Sequence, residues 1–223
     1  MIKDPVLMRN WLEYKFWYTL RMHKIEELEV LRETITADTT LPLRESNLVF
    51  GEGNINCQVM FIGEAPGAEE DRLVRPFVGR SGKLLDKMIE SLGWKRSDVY
   101  ITNIVKCRPP DNRDPLPAEI EAYKPYLAKQ IEIINPKVIA TLGRFSMNYF
   151  LPLAKITRDQ GKAYKMIGHS MSNQKGLMIF PLFHPAAVLR GTVPITEYEQ
   201  SFKKLKVFLS SQKKEHEDDF GPF

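Results

Sequence analysis

Cysteine is the telling scarcity: 223 residues contain two, Cys57 and Cys107. A disulfide framework is implausible on that count, and one chain cannot supply the thiolates of a four-cysteine metal or cluster site. No apolar run approaches the roughly 20 residues needed to cross a bilayer, so no membrane partner is expected. The N-terminal stretch Met1-Ile2-Lys3-Asp4-Pro5 carries an early acid and lacks the apolar segment and small-residue cleavage site of a secretory signal. A reducing, cytoplasmic home is the expectation. An excess of one charge is missing too: 32 Lys and Arg against 28 Asp and Glu leave +4. That balance permits a nucleic-acid partner without demanding one. No internal repeat occurs.

What is present is ordinary globular material, 43% hydrophobic and 27% charged, in a length that suits one full-sized domain. From about Pro5 to Glu33 the pattern is helical and rich in aromatics (Trp11, Tyr14, Phe16, Trp17, Tyr18). The β-branched run Thr34-Ile35-Thr36 is expected to end that helix. Packing of its aromatics on the core is the favoured reading, with partner binding or stacking on DNA as the alternative. After Pro42, short apolar runs at 58–62, 99–102, 137–142 and 177–182 alternate with helical patterns at 82–92, 117–134, 144–151 and 196–210. Continuous apolar strands separated by helices mean a parallel sheet covered on both faces. The expected fold is therefore α/β, a three-layer α/β/α sandwich around a mainly parallel sheet of about four strands. Residues 1–40 form a helical extension packed on the core, 41–211 the main domain, and 212–223 a charged, flexible tail. Residues 170–175 are polar and read as a hairpin tip or loop.

In open α/β sheets, ligands bind beyond the carboxyl ends of the strands. The first predicted strand runs into Gly63-Glu64-Ala65-Pro66-Gly67, the second ends at Asn103, the third at Gly143-Arg144 and the fourth at His184-Pro185. A carboxylate, an amide and an imidazole thus converge on one edge. Each has a structural alternative: Glu64 as a first-turn acid on a helix dipole, Asn103 as a turn former, His184 as a packed loop histidine. Taken together, three polar groups on three strand ends indicate a site. The glycines beside Glu64 do not make a phosphate loop, because the Gly-Lys-Ser/Thr ending is absent. Arg72, Arg75, Arg80, Lys83, Lys106, Arg108, Arg113 and Arg190 all follow these strand ends. The distribution suits a phosphate backbone, although Glu69, Glu70 and Asp71 in the same stretch fit an ordinary solvated face equally well.

Five segments carry a resemblance. They are Gly51-Glu52-Gly53-Asn54, the stretch from Gly63 to Asp71, Arg75-Pro76-Phe77-Val78-Gly79-Arg80, the stretch from Thr102 to Pro110, and His184-Pro185-Ala186-Ala187-Val188-Leu189-Arg190. In order and spacing they resemble the family-4 uracil-DNA glycosylases from about Leu41 to Phe208. The resemblance implies hydrolysis of the N-glycosidic bond of uracil in single- or double-stranded DNA, with the base flipped into a pocket. By motif position, Phe77 would stack on the uracil and Asn103 would read its O4 and N3–H edge. Backbone at Gly63 and Ala65 would close on the ring, and Glu70 would stand where a thymine methyl is excluded. His184 would donate to the developing charge on O2, and Glu64 would orient water and offset positive charge on the sugar. Arg80, Lys83, Leu189 and Arg190 would contact DNA. No metal is needed for this chemistry.

The resemblance also implies a [4Fe–4S] cluster held by four thiolates, and here the sequence departs from it. The four ligand positions fall at Asp38, Leu41, Cys107 and Tyr123, so three ligands are missing and no cofactor is expected. Retention of Glu64, Phe77, Asn103 and His184 favours an active enzyme over a non-catalytic module that binds uracil-containing DNA or a protein. A covalently trapping relative would need a basic insert with a histidine after Gly79, which Arg80-Ser81-Gly82-Lys83 does not provide. A monomer is expected.

Overall fold

The computed structural model describes residues 5–166 and 176–218, the side chains of 5–13, 16 and 213–218 excepted. The chain runs α1 (Pro5–Ala37), β1 (Glu52–Gly53), β2 (Val59–Gly63), α2 (Ala68–Leu73), α3 (Arg80–Ser91), β3 (Tyr100–Asn103), α4 (Pro117–Ile134) and β4 (Val138–Leu142). It continues through α5 (Arg144–Phe150), the single turn α6 (Ile156–Asp159), β5 (Tyr164–Lys165), β6 (Met178–Leu182), α7 (Pro185–Leu189) and α8 (Ile195–Asp218).

The sheet has the order β1-β3-β2-β4-β6-β5. Its four central strands, β3, β2, β4 and β6, are parallel and correspond to the four apolar runs. The expectation of about four strands is corrected to six among the described residues. The two-residue strands β1 and β5 pair antiparallel on the edges. They are too short and too exposed to leave a periodic apolar signature, and short edge strands are a common way to end a sheet without inviting further pairing.

Alternation along the strands builds two cores. Met60 and Ile62 of β2 and Ile139 of β4 pack with Leu127 and Ile131 of α4 and with Leu31 and Ile35 of α1. Val59 and Phe61 of β2 and Ala140 of β4 pack on the other face with Leu85 and Ile89 of α3 and Phe202 and Leu205 of α8. The three-layer α/β/α arrangement follows directly, because each strand buries both of its faces.

Helix α1 does not stop at the β-branched run. Ile35 is only 2% exposed, and the hydroxyls of Thr34 and Thr36 donate back to the carbonyls of Val30 and Arg32 at 2.7 and 2.8 Å. Burial outweighs the weak local propensity. The second half of α1 is the part that docks, through Leu28, Leu31 and Ile35. Lys24 Nζ donates to the Ile134 carbonyl at 2.9 Å, setting a cation on the C-terminal end of α4. The expectation that the aromatics pack on the core is corrected: Tyr14, Trp17 and Tyr18 are exposed, and Tyr14 stacks on Tyr18 with ring centroids 6.2 Å apart. Side chains of Trp11 and Phe16 lie outside the described residues. At the other end, α8 continues to Asp218, so the segment expected as a tail is helical past Gln212, while 219–223 and the loop expected at 170–175 lie outside the described residues.

Cys57 and Cys107 are both free and buried. Burial pushes the Cys57 thiol up to about 12 and raises that of Cys107. Around Cys107 the packing is apolar and closed. Leu41 and Tyr123 are buried in the same core, and the Tyr123 hydroxyl donates to the Pro42 carbonyl at 2.8 Å. On the rim, the Tyr126 hydroxyl donates to Asp38.

Candidate active site

The parallel register brings the strand ends level. Gly63 pairs with Asn103 across β2 and β3, and Leu142 pairs with Leu182 across β4 and β6, so Glu64, Asn103, Gly143 and His184 emerge on one edge of the sheet. They line a cleft of about 450 Å³ together with Ala65, Glu70, Phe77 and Arg190. The strand ends thus bring together the carboxylate, amide and imidazole.

Asn103 is 1% exposed, and its Oδ1 has no hydrogen-bond partner among the described residues. Leaving a buried carbonyl oxygen unpaired costs about 1–3 kcal/mol, and such an orphan calls for an explanation. Asn103 lies on the cleft wall. Gly63 makes this possible. A Cβ on Gly63 would stand 2.4 Å from Phe77 Cζ and 2.5 Å from Asn103 Oδ1, so only glycine lets ring and amide meet over the strand end.

Phe77 is buried at 5% exposure, and its ring lies 5.9 Å from that of His184, tilted by 40°. The backbone of Phe77 is left-handed, at φ 51°. A non-glycine residue held there carries strain that the surroundings must over-determine. One anchor is Glu70, whose Oε1 accepts the backbone N–H groups of Val78 and Gly79 at 2.9 and 2.7 Å. Glu70 also lines the cleft, and its duty of fastening the loop between α2 and α3 was not legible in its motif.

His184 caps α7: its Nδ1 accepts the Ala186 N–H at 3.1 Å. That bond assigns the ring proton to Nε2, leaving an N–H donor for a ligand. Burial, reinforced by the positive charge of Arg190, lowers the imidazole to about 4, so the ring is neutral at ordinary pH. Glu64 behaves in the opposite sense. Burial first, then the negative charge of Asp114, pushes its carboxyl up to about 7, against the opposing pull of Arg144 and Arg190. Two titratable groups driven apart in one cleft are a hallmark of acid–base or charge-stabilising chemistry.

The basic residues divide. Arg80, Lys83 and Arg190 are exposed, as is the apolar Leu189, and Arg190 lines the cleft. Others expected to face phosphate are committed within the protein. Arg75 is bidentate to Glu52, Arg72 pairs with Glu69, and Arg113 pairs with Glu119. Lys106 is fully buried, donating to Thr102 Oγ1, the Asn103 carbonyl and Gln130 Oε1. It is removed from the phosphate-contacting set, since its amino group secures the strand end instead.

A doubly covered, mainly parallel sheet with a neutral histidine, a raised carboxyl, an aromatic ring and a buried amide around one cleft has the form of an α/β enzyme. The chain belongs to the uracil DNA glycosylase superfamily, whose family model matches residues 50–206. It is 42% identical to a type-4 uracil-DNA glycosylase of Sulfurisphaera tokodaii, covering 85% of this chain and 88% of that protein. Over 74% of this chain and 78% of the relative it is 47% identical to a type-4 uracil-DNA glycosylase of Saccharolobus solfataricus. A type-5 uracil-DNA glycosylase of Pyrobaculum aerophilum is more distant, at 29% over 65% of this chain and 68% of its own. No helix among the described residues is long and apolar enough to cross a membrane.

Proposed function

We propose that the protein is a uracil-DNA glycosylase that hydrolyses the N-glycosidic bond of uracil flipped out of DNA, the first step of base excision repair. The observation that carries this reading is the orphaned Asn103 Oδ1 beside the Phe77 ring. Uracil offers an N3–H donor next to the O4 acceptor, a pair that one side-chain amide matches, whereas cytosine has an unprotonated N3 and an amino group. The ring of Phe77 gives the base a stacking surface, and backbone at Gly63 and Ala65 closes on the base. Glu70 closes the wall against a thymine methyl.

As the C1′–N1 bond breaks, electrons move onto the base and collect at O2, while the sugar becomes positive. His184 Nε2–H donates to O2. Being neutral, it gives up no proton before the charge develops, and its donor is already fixed by the Ala186 bond. Glu64, once ionised, faces the cationic sugar and directs water to C1′. The exposed Arg80, Lys83, Leu189 and Arg190 serve the DNA: basic groups hold phosphates, and Leu189, 41% exposed, enters the space the base has left. The protein works as a soluble monomer in the cytoplasm, meeting DNA by this face.

The test uses single- and double-stranded oligonucleotides carrying one uracil, followed by alkaline cleavage of abasic sites. Strand scission at the uracil position is expected with catalytic amounts of protein. No scission at stoichiometric protein, with a stable gel shift, would establish the non-catalytic binding module instead.

The chain performs this without an iron–sulfur cluster. Leu41 carries no donor atom, Tyr123 already gives its hydroxyl to the Pro42 carbonyl, and Cys107 is the single thiol at the four positions. These residues do not fit the cluster that the family-4 resemblance implies, and their mutual packing fills the volume. Purified protein is expected to contain no stoichiometric iron and to show no visible absorbance band, and either signal would overturn this reading.

A further inference from the structure

Arg96 lies outside every motif that points to the site, on the short 3-10 turn between α3 and β3. Its guanidinium is nonetheless directed at the loop that carries Phe77. One terminal nitrogen donates to the Phe77 carbonyl at 3.2 Å and to Asp86 Oδ1 at 2.6 Å. The other donates to the Pro76 carbonyl, and Nε donates to Glu52 Oε1 at 2.9 Å. Glu52 in turn binds Arg75, at the start of the same loop, through both oxygens at 2.7 and 2.9 Å.

The loop is therefore gripped from two sides. Glu70 takes the N–H groups of the two residues after Phe77, and Arg96 takes the carbonyls of Phe77 and the residue before it. Neither carbonyl is left to a regular element, and Phe77 itself is in the left-handed region. Gly82 completes the seat, since a Cβ there would fall 1.9 Å from the Phe77 oxygen. A planar, five-donor fork is the one side chain able to hold two successive carbonyls while remaining neutralised by two carboxylates.

We infer that Arg96, held by Glu52 and Asp86, is a positioning residue that presets the Phe77 ring as the platform for the flipped base. This rests on the proposed stacking role of Phe77. Without the fork, the loop relaxes from its left-handed conformation and the ring leaves its place over Gly63. The platform must then be rebuilt at each binding event.

A double-mutant cycle tests this, with kcat and KM measured on a uracil oligonucleotide and inhibition measured with free uracil. Arg96→Gln is expected to lower kcat/KM by about 10- to 100-fold, chiefly through KM, and to weaken inhibition by free uracil in parallel. In a Phe77→Ala background the same change is expected to cost less than about threefold, because the two residues act as one unit. Arg96→Lys keeps the charge for Glu52 and Asp86 but loses the fork. It is expected to preserve the melting temperature while losing most of the same activity, which separates positioning from folding if Arg96→Gln proves unstable. Equal losses from Arg96→Gln with and without Phe77, or full activity in Arg96→Lys, would overturn the inference. If Phe77→Ala alone leaves activity and uracil inhibition untouched, the stacking role fails, and the clamp built on it fails with it. Loss in Phe77→Ala with none in either Arg96 variant removes the clamp alone.

Discussion

Replacing His184 with alanine is expected to lower kcat by about 10²–10³-fold on a uracil oligonucleotide, with KM little changed and the fold intact. The split follows from when the interaction matters. Uracil O2 in the ground state is an ordinary carbonyl oxygen, and it becomes an anion only as the glycosidic bond breaks. A donor that strengthens with that charge acts on kcat. The His184 ring is well placed for this because its tautomer is set by the Ala186 N–H rather than by the ligand. Its pKa, lowered to about 4 by burial and by Arg190, removes competition from the imidazolium across the working range. The rate should accordingly show no acid limb from this group above about pH 5. For stability the sign is the usual one for a depressed group. The contribution is present above the unfolded value of 6.5 and is lost as pH falls through about 4. Single-turnover kinetics at saturating protein check the rate, and wild-type kcat in His184→Ala would remove the assignment.

Glu64→Gln is expected to cost about 10²–10⁴-fold in kcat, since glutamine can neither offset the sugar's charge nor direct water as an anion. With the Glu64 carboxyl at about 7 through burial and Asp114, kcat/KM of the parent should rise with pH and level off above about 7. The linkage runs the other way for folding. A carboxyl whose folded pKa is raised from 4.5 to about 7 contributes stability below 4.5 and loses it as pH climbs through 7. Glu64→Gln escapes that loss. It should melt higher than the parent by a few degrees at about pH 8 and at nearly the same temperature at about pH 4, given about 2–4 °C per kcal/mol at this chain length. Slower catalysis together with a higher melting temperature would mark Glu64 as a group held in its site for function at the expense of stability. A parent profile flat from about pH 5 to 9 would contradict the raised carboxyl.

The four central strands were legible because a strand buried on both faces needs an unbroken apolar run, and runs such as Val59-Met60-Phe61-Ile62 have no other easy reading. Knowing where those runs end was enough to nominate Glu64, Asn103 and His184, because ligands in such sheets sit beyond the carboxyl ends. The edge strands were not legible, as two residues at β1 or β5 carry no period. The length of α1 was misjudged because Ile35 owes its helical state to a core built from α4 and β4, far away in sequence. Lys106 was misjudged for a related reason. A lysine three residues beyond a strand end reads as a surface charge until Thr102, the Asn103 carbonyl and Gln130 are seen to enclose it.

Covalent order and local pattern alone determined the α/β class, the sheet edge that holds the site, and the identity of the groups on it. They also determined that two cysteines are too few for a four-thiolate cluster. Only the tertiary structure decided the state of those groups: which nitrogen of His184 carries the proton, that Asn103 Oδ1 is unpaired among the described residues, and that Phe77 is held left-handed between Glu70 and Arg96. Protonation, desolvation and backbone strain depend on what stands within a few ångströms. Those neighbours come from segments tens of residues apart, which no local spacing records.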